Sequence, residues 1–381
     1  MSRKPKSLLA TFVWLVTIIG AGCVAAAGKQ VIETEHHRAK VVVVTRGLEH
    51  PWGLVFLPDG RMLVTERAGR LRIINKSKLD PTPVSGLPDI TASGQGGLLD
   101  VALHPRFTDN RWVYLSYAAS TDGGVGTEVA RGRLSGSRLT GVEVIFRALP
   151  KSSGGRHFGS RLLFDPDGRL YITLGDRGDR RRAQNLGDHA GSIIRLRDDG
   201  AVPDDNPFVG RVGLNAEIFT FGNRNVQGIA RQPGTGWIWA HEHGPQGGDE
   251  VNIIRAGTNY GWPVITYGRN YGIGTRIGEG TAKPGMAQPV HYWVPSIAPS
   301  GMAFYAGDKF PEWRGDLFVG ALKDRLLVRL EVERERVVKE ERMLHGVLGR
   351  IRDVRSGPDG FIYLLTDESN GVVARLEPLP R

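Results

Sequence analysis

The sequence predicts an all-β chain that folds as a six-bladed β-propeller of four-stranded antiparallel blades. Three observations favour this fold: a turn precedes an apolar strand at six places, no long amphipathic helical stretch separates them, and the chain holds 52 glycines and 22 prolines. The turns are separated by roughly 45 to 80 residues, the range expected for one blade with its loops. Radial closure would protect strand edges that an open sheet exposes. A large β-sandwich or two separate β domains is the alternative fold.

The six turns occur in two forms. Three contain Pro-Asp-Gly, which places proline at the second position of a type I turn and glycine at the fourth. These lie at residues 58–60, 166–168 and 358–360. The other three are degenerate copies, within residues 104–115, 231–239 and 310–319. Aromatic and β-branched residues follow each turn, as expected for a returning strand.

The N-terminus precedes the predicted propeller. Basic residues, an apolar run over 8–19 and small residues up to Ala27 are typical of a signal peptide, so we expect residues 1–27 to be a leader. Residues 28–45 would be a lead-in, and residues 46–381 the propeller. An uncleaved membrane anchor is one alternative. Lipidation at Cys23 is another, although the leucine usual three residues before the cysteine is missing. We therefore expect a periplasmic or secreted protein.

Composition limits the classes of site and partner. Cys23 is the only cysteine, so the mature chain would have no disulfide and no thiolate metal site. Loss of the leader lowers the formal net charge from +10 to +7, because the leader carries Arg3, Lys4 and Lys6 and no acidic residue. The remaining basic residues are scattered, without an arginine-rich stripe interleaved with aromatics, so we expect no nucleic-acid partner.

The hairpin at residues 157–176 carries the clearest candidate for catalysis. Pairing Asp165 with Gly168 across a two-residue turn would place His157 opposite Asp176 at the open end, within one residue for a bulge. A carboxylate beside a histidine orients the base and stabilises its protonated form. The alternative is that two loop residues merely lie close together.

Two polar loops are further candidates. The segment 222–228 holds Arg224 beside Asn225, which suits a carboxylate or a developing oxyanion, although the arginine could instead cap carbonyl groups of its own loop. The segment 241–250 has two histidines only two residues apart, without helical context, so it is not a zinc signature. Its glycines, its proline and its acidic pair favour hard oxygen ligands and hence calcium.

The remaining candidates are basic or polar. Arg350 and Arg352 alternate with Ile351 on one face of the last blade, which would suit a polyanionic ligand, and we expect Arg350 to lie opposite Asp367. A surface ladder of these arginines with nearby acids is the alternative. Lys323 lies at a strand end. Gln95 lies in a glycine-rich loop that lacks the Gly-Lys-Ser/Thr of a P-loop.

The ordered motifs resemble the PQQ-dependent soluble aldose sugar dehydrogenases of the glucose/sorbosone dehydrogenase family. The resemblance runs from about residue 50 to residue 378. The stretches that carry it are His50-Pro-Trp-Gly-Leu, Gly94-Gln-Gly-Gly-Leu-Leu-Asp, Arg156-His-Phe-Gly-Ser-Arg-Leu, Pro203-Asp-Asp-Asn-Pro-Phe, Arg224-Asn-Val-Gln-Gly, Glu242-His-Gly-Pro-Gln-Gly-Gly-Asp-Glu-Val-Asn, Asn259-Tyr-Gly-Trp-Pro, Ser300-Gly-Met-Ala-Phe-Tyr, Gly320-Ala-Leu-Lys-Asp and Arg350-Ile-Arg-Asp-Val. The family fold, a six-bladed propeller, agrees with the repeat count.

The resemblance implies a role for each matching residue. His157 would be the general base oriented by Asp176, and Arg224 would act beside the quinone. The positions that would contact PQQ are Gln95, His157, Arg224, Asn225, Lys323, Arg350 and Arg352. Backbone carbonyls of Gly244 and Pro245 would bind the calcium that holds PQQ. Glu250 and Tyr260 match a second calcium site.

These roles imply oxidation of an aldose at its anomeric carbon to a lactone, with hydride passing to PQQ and electrons leaving to a quinone, cytochrome or dye. Two segments depart from the family pattern, the strongly basic 177–184 and the segment 291–299, so the preferred sugar stays open. Two other readings also stay open. One is a calcium-dependent lactonase-type hydrolase, and the other is a non-catalytic propeller that binds a protein or glycan.

Overall fold

A computed structural model of the protein describes residues 30–380 and shows six antiparallel sheets arranged as blades around a central channel. These residues do not include the predicted leader over residues 1–27, its cleavage site or Cys23. The chain enters through β1 (Gln30–Glu33) and β2 (Arg38–Leu48). No helix in the described part of the chain combines the length and apolarity needed to cross a membrane.

The first three blades follow in chain order. Blade 1 contains β3 (Pro51–Phe56), β4 (Met62–Glu66), β5 (Arg70–Asn75) and β6 (Lys78–Leu79). Blade 2 contains β7 (Leu98–Leu103), β8 (Trp112–Thr121), β9 (Gly124–Ser135) and β10 (Arg138–Arg147). Blade 3 contains β11 (Leu162–Phe164), β12 (Leu170–Thr173), β13 (Ile193–Leu196) and β14 (Ile218–Thr220).

The last three blades complete the ring. Blade 4 contains β15 (Val226–Arg231), β16 (Ile238–Glu242), β17 (Asp249–Ile254) and β18 (His291–Trp293). Blade 5 contains β19 (Pro299–Phe304), β20 (Leu317–Ala321), β21 (Leu327–Glu333) and β22 (Arg336–Met343). Blade 6 contains β23 (Ile351–Ser356), β24 (Ile362–Thr366) and β25 (Gly371–Pro378). The predicted six-bladed propeller is therefore confirmed.

Each of the six predicted turns joins the first strand of a blade to its second strand. Two degenerate copies contain a short helix in place of a tight turn. These are α1 (Phe107–Asn110) in blade 2 and a 3₁₀ helix (Pro311–Trp313) in blade 5. A second 3₁₀ helix (Arg180–Gln184) follows blade 3's second strand. The first strands of neighbouring blades contact one another around the ring and line the channel.

The N-terminal strand β2 closes the ring. It pairs antiparallel with β25, from Ala39 opposite Pro378 to Leu48 opposite Gly371, and β1 adds a fifth strand to this sheet. The boundary expected at residue 46 thus falls inside β2, and residues 38–45 are part of blade 6. Ala39 and Val41 pack in an apolar cluster with blade 5 residues such as Trp313. Closure therefore buries apolar surface as well as pairing a strand edge.

A central ion-pair cluster of Asp100, Arg161, Asp353 and Arg355 joins strands on opposite sides of the channel. Arg161 Nη1 lies 2.9 Å from Asp353 Oδ1 and 3.4 Å from Asp100 Oδ1. Arg355 lies 2.9 Å from Asp100 and 2.8 Å from Asp353. Both aspartates and Arg161 are buried, so each charge depends on its partners for the solvation it has lost.

The cluster also contacts the other blades through backbone groups. Leu54 N in blade 1 donates to Asp353 Oδ2 at 3.1 Å, and Arg161 Nε donates to the Gln227 carbonyl in blade 4 at 2.9 Å. Two glycines make room for the carboxylates. A Cβ added to Gly53 would lie 2.5 Å from Asp100 Oδ1, and one added to Gly301 in blade 5 would lie 2.2 Å from Asp353 Oδ1. All six blades therefore meet at this cluster.

We expect Asp353→Asn to lower the free energy of unfolding by about 3 kcal/mol, because it leaves the buried Arg161 and the partly buried Arg355 with one carboxylate. Urea unfolding followed by tryptophan fluorescence measures this. Asp308→Asn is the matched control, since the Asp308 side chain is 71% exposed. Equal unfolding midpoints for the two variants would contradict a structural role for the cluster.

Candidate active site

A cavity of about 500 Å³ opens at one end of the channel and receives side chains from every blade. Of the residues that the sequence singled out, those that line it are Gln95, Asn225, Lys323, Arg350 and Arg352. Phe158 and Gly159, next to His157, also line it. The sequence stretches that were predicted to act together are therefore brought together here.

His157 and Asp176 form a hydrogen-bonded pair at the edge of this cavity. His157 Nδ1 lies 2.6 Å from Asp176 Oδ1, and both residues are buried. Asp176 Oδ1 also accepts from Gly178 N at 2.7 Å, and Oδ2 accepts from Trp262 Nε1 at 2.8 Å. Because Nδ1–H donates to the carboxylate, Nε2 keeps its lone pair for a proton.

The local fold explains why the pair meets, although the expected register is wrong by one residue. Leu162 pairs with Ile172, so Asp165 and Gly168 are not paired partners across a two-residue turn. Gly168 instead adopts a positive φ of 79° in a wider turn with a bulge. The change of register does not separate His157 from Asp176, because His157 lies beyond the regular strand. His157 has a φ of 57°, and its N–H donates to Gln95 Oε1 at 2.8 Å. Asp176 N donates to the Arg224 carbonyl at 2.8 Å.

Burial makes His157 a neutral base. It lowers the pKa of His157 below the ordinary value, and the charges of Arg224 and Arg156 act in the same direction. The hydrogen bond that His157 donates to Asp176 opposes this shift without overcoming it. Burial also opposes ionisation of Asp176, but the hydrogen bond with His157, the N–H of Gly178 and the charge of Arg224 together outweigh it, so the pKa of Asp176 is lowered. A neutral imidazole beside a carboxylate can accept a proton at neutral pH.

Arg224 and Asn225 lie between the pair and blade 4. Arg224 Nη1 donates to the carbonyls of His243 at 3.0 Å and Gly244 at 2.8 Å, so the guanidinium holds the loop that was predicted to bind calcium. Asn225 Oδ1 accepts from Gly159 N at 3.1 Å and faces the cavity. Pro245 is buried against Gly268.

The opposite wall of the cavity is basic. Arg352 Nη2 lies 2.9 Å and Arg350 Nη2 3.3 Å from Asp367 Oδ2, so both arginines share one face. Asp367 N donates to the Arg350 carbonyl at 2.8 Å, which confirms that these residues are opposite. Burial opposes ionisation of Asp367, but Arg352, His50 and Arg350 together outweigh it and hold the pKa of Asp367 far below the usual range. Lys323 donates to the Ser296 carbonyl at 2.8 Å. Three cations and the two carboxylates of Asp367 and Glu368 leave this wall with net positive charge.

Comparison with known proteins decides the family. The model described as glucose/sorbosone dehydrogenase matches residues 48–375. The chain belongs to the glucose/sorbosone dehydrogenase family. It is 49% identical over 344 residues to aldose sugar dehydrogenase YliI from Escherichia coli, covering 89% of this chain and 92% of that protein. The solved structure of the soluble aldose sugar dehydrogenase from Escherichia coli in its apo form is 48% identical, with a TM-score of 0.87 over 90% of this chain and 100% of that chain.

A second solved structure carries the cofactor that the motifs implied. The PQQ-bound aldose sugar dehydrogenase from Streptomyces coelicolor is 28% identical to this chain, with a TM-score of 0.73 over 92% of this chain and 100% of that chain. The membership predicted from the motifs is confirmed, and this chain is a glucose/sorbosone dehydrogenase family member along nearly its whole described length.

This family member also encloses a pair of acids beside the site. Glu242 and Glu250 are opposite each other on β16 and β17 and line a cavity of about 10 Å³, together with Gly244 and Tyr260. Burial raises the pKa of Glu242 to about 7. Burial and the charge of Glu242 raise the pKa of Glu250 well above its ordinary value. Two enclosed carboxylates favour either a proton or a cation between them.

The side chains around this cavity limit how a cation would be held. The Tyr260 hydroxyl donates to the Ile253 carbonyl at 2.7 Å and accepts from Arg255 N at 3.0 Å, so its oxygen is already engaged. Within residues 30–380, no three His, Cys, Asp or Glu side chains converge as metal ligands. Backbone carbonyls would therefore have to complete any site here.

In the basic segment 177–184, which follows Asp176, some arginines are buried and others are exposed. Arg177 points inward, donates to the carbonyls of Arg156 and Gly154, and lies 3.5 Å from the Phe158 ring centroid. Arg182 pairs with Asp188 at 2.7 Å. Arg180 and Arg181 are exposed. Part of this segment thus supports the loop of His157 and does not face solvent.

Sequence reasoning missed three residues of the site. Trp262 donates to Asp176, and His243 lines the cavity with Nε2 donating to the Pro299 carbonyl at 2.6 Å. Burial lowers the pKa of His243 to about 3, so it is neutral. Trp52 stacks beneath Arg161, whose guanidinium carbon is 4.1 Å from the ring centroid. All three lie in motifs that had been noticed, but only their contacts assign them to the site.

We expect the pKa of His157 to lie below 6.5 in the cofactor-free protein and to fall further in Asp176→Asn, because the substitution removes the interaction that raises it. Histidine NMR titration with isotope labelling measures both values. Exposed His345 provides the control resonance. A pKa above 6.5, or an upward shift in Asp176→Asn, would show that burial does not control this residue.

Proposed function

We propose that this protein is a PQQ- and calcium-dependent oxidoreductase that oxidises the anomeric carbon of aldose sugars to lactones. The observation that carries the proposal is the neutral His157, oriented by Asp176, at the edge of a large cavity with a basic opposite wall. The PQQ-bound relative supports the cofactor, and the relatives named aldose sugar dehydrogenase support the substrate class.

The donor set of the cavity fits PQQ. PQQ carries three carboxylates and an ortho-quinone, which suit arginine, lysine and amide donors. Lys323, Arg350 and Arg352 would bind the carboxylates, and their wall has net positive charge because these three cations outnumber the two carboxylates of Asp367 and Glu368. Gln95 and Asn225 would donate from the other side. When bound, PQQ supplies a quinone that accepts a hydride.

The protein residues supply proton transfer and charge stabilisation. His157 Nε2 takes the proton of the hydroxyl group on the anomeric carbon as that carbon loses its hydride, so the sugar loses two hydrogens and becomes the lactone. Asp176 stabilises the imidazolium that forms. Arg224 would stabilise negative charge on an oxygen of the bound quinone. Burial of the pair keeps bulk water from competing for the proton.

Calcium would be held in two places. Carbonyls of Gly244 and Pro245 would bind the ion that supports the cofactor, with Arg224 giving up part of its bond to the Gly244 carbonyl. Glu250 with a Tyr260 backbone oxygen would hold a second ion, whose charge would relieve the repulsion between Glu242 and Glu250. A periplasmic location and a quinone or cytochrome as electron acceptor complete the proposal.

The deciding experiment adds PQQ to the purified protein with and without calcium and follows dye reduction by a panel of aldoses. We expect calcium-dependent turnover, and we expect His157→Ala to lower kcat by about 10² to 10⁴ while PQQ still binds. His345→Ala, on an exposed position, serves as the control. Absence of PQQ binding would contradict the proposal and favour lactone hydrolysis or partner binding.

The second ion has its own test in the cofactor-free protein. We expect calcium to raise the melting temperature, because an ion that binds only the folded state stabilises it, and we expect Glu250→Gln to weaken this effect. Glu279→Gln, on the exposed surface, should respond to calcium as the unsubstituted protein does. An equal calcium-dependent shift in both variants would rule out Glu250 as a ligand.

A further inference from the structure

We propose that Trp262 is a positioning residue that holds the Asp176 carboxylate in the orientation that His157 needs. This inference rests on the proposed function, because it assigns a supporting role in the same reaction. Trp262 Nε1 donates to Asp176 Oδ2 at 2.8 Å, while His157 Nδ1 uses Oδ1 at 2.6 Å. The indole and the imidazole thus bind different oxygens of one carboxylate.

The division of donors fixes the carboxylate plane. Oδ1 accepts from His157 and from Gly178 N, and Oδ2 accepts from Trp262. Asp176 is 1% exposed, so a lost donor on Oδ2 leaves a buried charged oxygen without that partner. Rotation of the carboxylate toward another partner would then draw Oδ1 away from the imidazole. Trp262 therefore controls which oxygen faces His157.

The same ring supports the arginine across the site. The Arg224 guanidinium carbon lies 5.5 Å from the Trp262 ring centroid, within range of a cation–π interaction. Trp262 is buried with Ala183 and Ile277, which fix the ring from behind. The Trp262 side chain thus contacts both Asp176, which orients His157, and Arg224, which is assigned to charge stabilisation. Because it acts on His157 through Asp176, Trp262 is a positioning residue.

Other charges that face the pair do not replace this contact. Arg224 and Arg156 are the cations that act on His157, and neutral His243 lies on the same side of the cavity. Arg177 follows Asp176 in the chain, but its guanidinium binds carbonyl groups. Among the described residues, the hydrogen bond that holds Asp176 Oδ2 is the one from Trp262.

The test begins with the cofactor-free protein, so it does not depend on PQQ chemistry. Trp262→Phe keeps the ring and removes the N–H donor. Because the carboxylate can then rotate and draw Oδ1 away from the imidazole, the interaction that raises the pKa of His157 is weakened, and we expect that pKa to fall. The same substitution in the Asp176→Asn background should leave that pKa unchanged, because no carboxylate charge is left to redirect. An unchanged pKa in Trp262→Phe, or equal shifts in both backgrounds, would overturn the proposal.

Turnover provides the second readout once cofactor and calcium are bound. We expect Trp262→Phe to lower kcat about tenfold with little change in KM, and its effect to be lost in Asp176→Asn. Trp237→Phe is the matched control, since that ring also lies beside an arginine, 6.0 Å from the Arg255 guanidinium carbon, on a different part of blade 4. Failure of PQQ binding would count against the proposed function while leaving the titration result decisive for Trp262.

A measurement without any substitution at Trp262 covers the case in which that variant does not fold. The indole N–H resonance of Trp262 should lie downfield and exchange slowly with solvent, because it donates to a buried carboxylate. Asp176→Asn should move it upfield. A resonance that does not respond to this substitution would overturn the proposal.

Discussion

The central ion-pair cluster is the interaction on which the rest of the molecule depends. Asp100, Arg161, Asp353 and Arg355 come from blades 2, 3 and 6, and their remaining bonds reach blades 1 and 4. A propeller is otherwise joined mainly between neighbours in the ring. Buried charges that satisfy one another across the channel hold these five blades at once, since displacing one of them would leave a buried polar group unpaired.

The same ion-pair cluster also supports the walls of the cavity. Arg161 Nη2 donates to the Arg352 carbonyl at 3.0 Å, and its guanidinium stacks on Trp52, which lines the cavity. Gln227, whose carbonyl accepts from Arg161, donates through its side chain to the Gly159 carbonyl at 3.1 Å. The basic wall and the loop of His157 are therefore both held by groups that bind Arg161.

Burial gives the site its chemical character. It keeps His157 neutral, and it places Glu242 and Glu250 where ionisation is costly unless a cation is present. The same low-dielectric surroundings thus have two effects. They keep His157 neutral, so that it can act as a base, and they make the pair of Glu242 and Glu250 a favourable place for a cation. Arg224 acts on both, since its backbone N–H donates to Glu242 Oε2 and its charge lowers the pKa of His157.

The sequence by itself determined the repeat of six turns, the strand that follows each turn, and the motifs that carry His157, Arg224 and Arg350, because turn chemistry and strand alternation are local properties. The tertiary structure alone decided the one-residue change of register in the hairpin of blade 3, the closure of the ring by β2 and the contact of Trp262 with Asp176. Each of these joins residues far apart in the chain or depends on backbone geometry at a single glycine. The shifted pKa values belong to the same class, since burial exists only after the blades have packed.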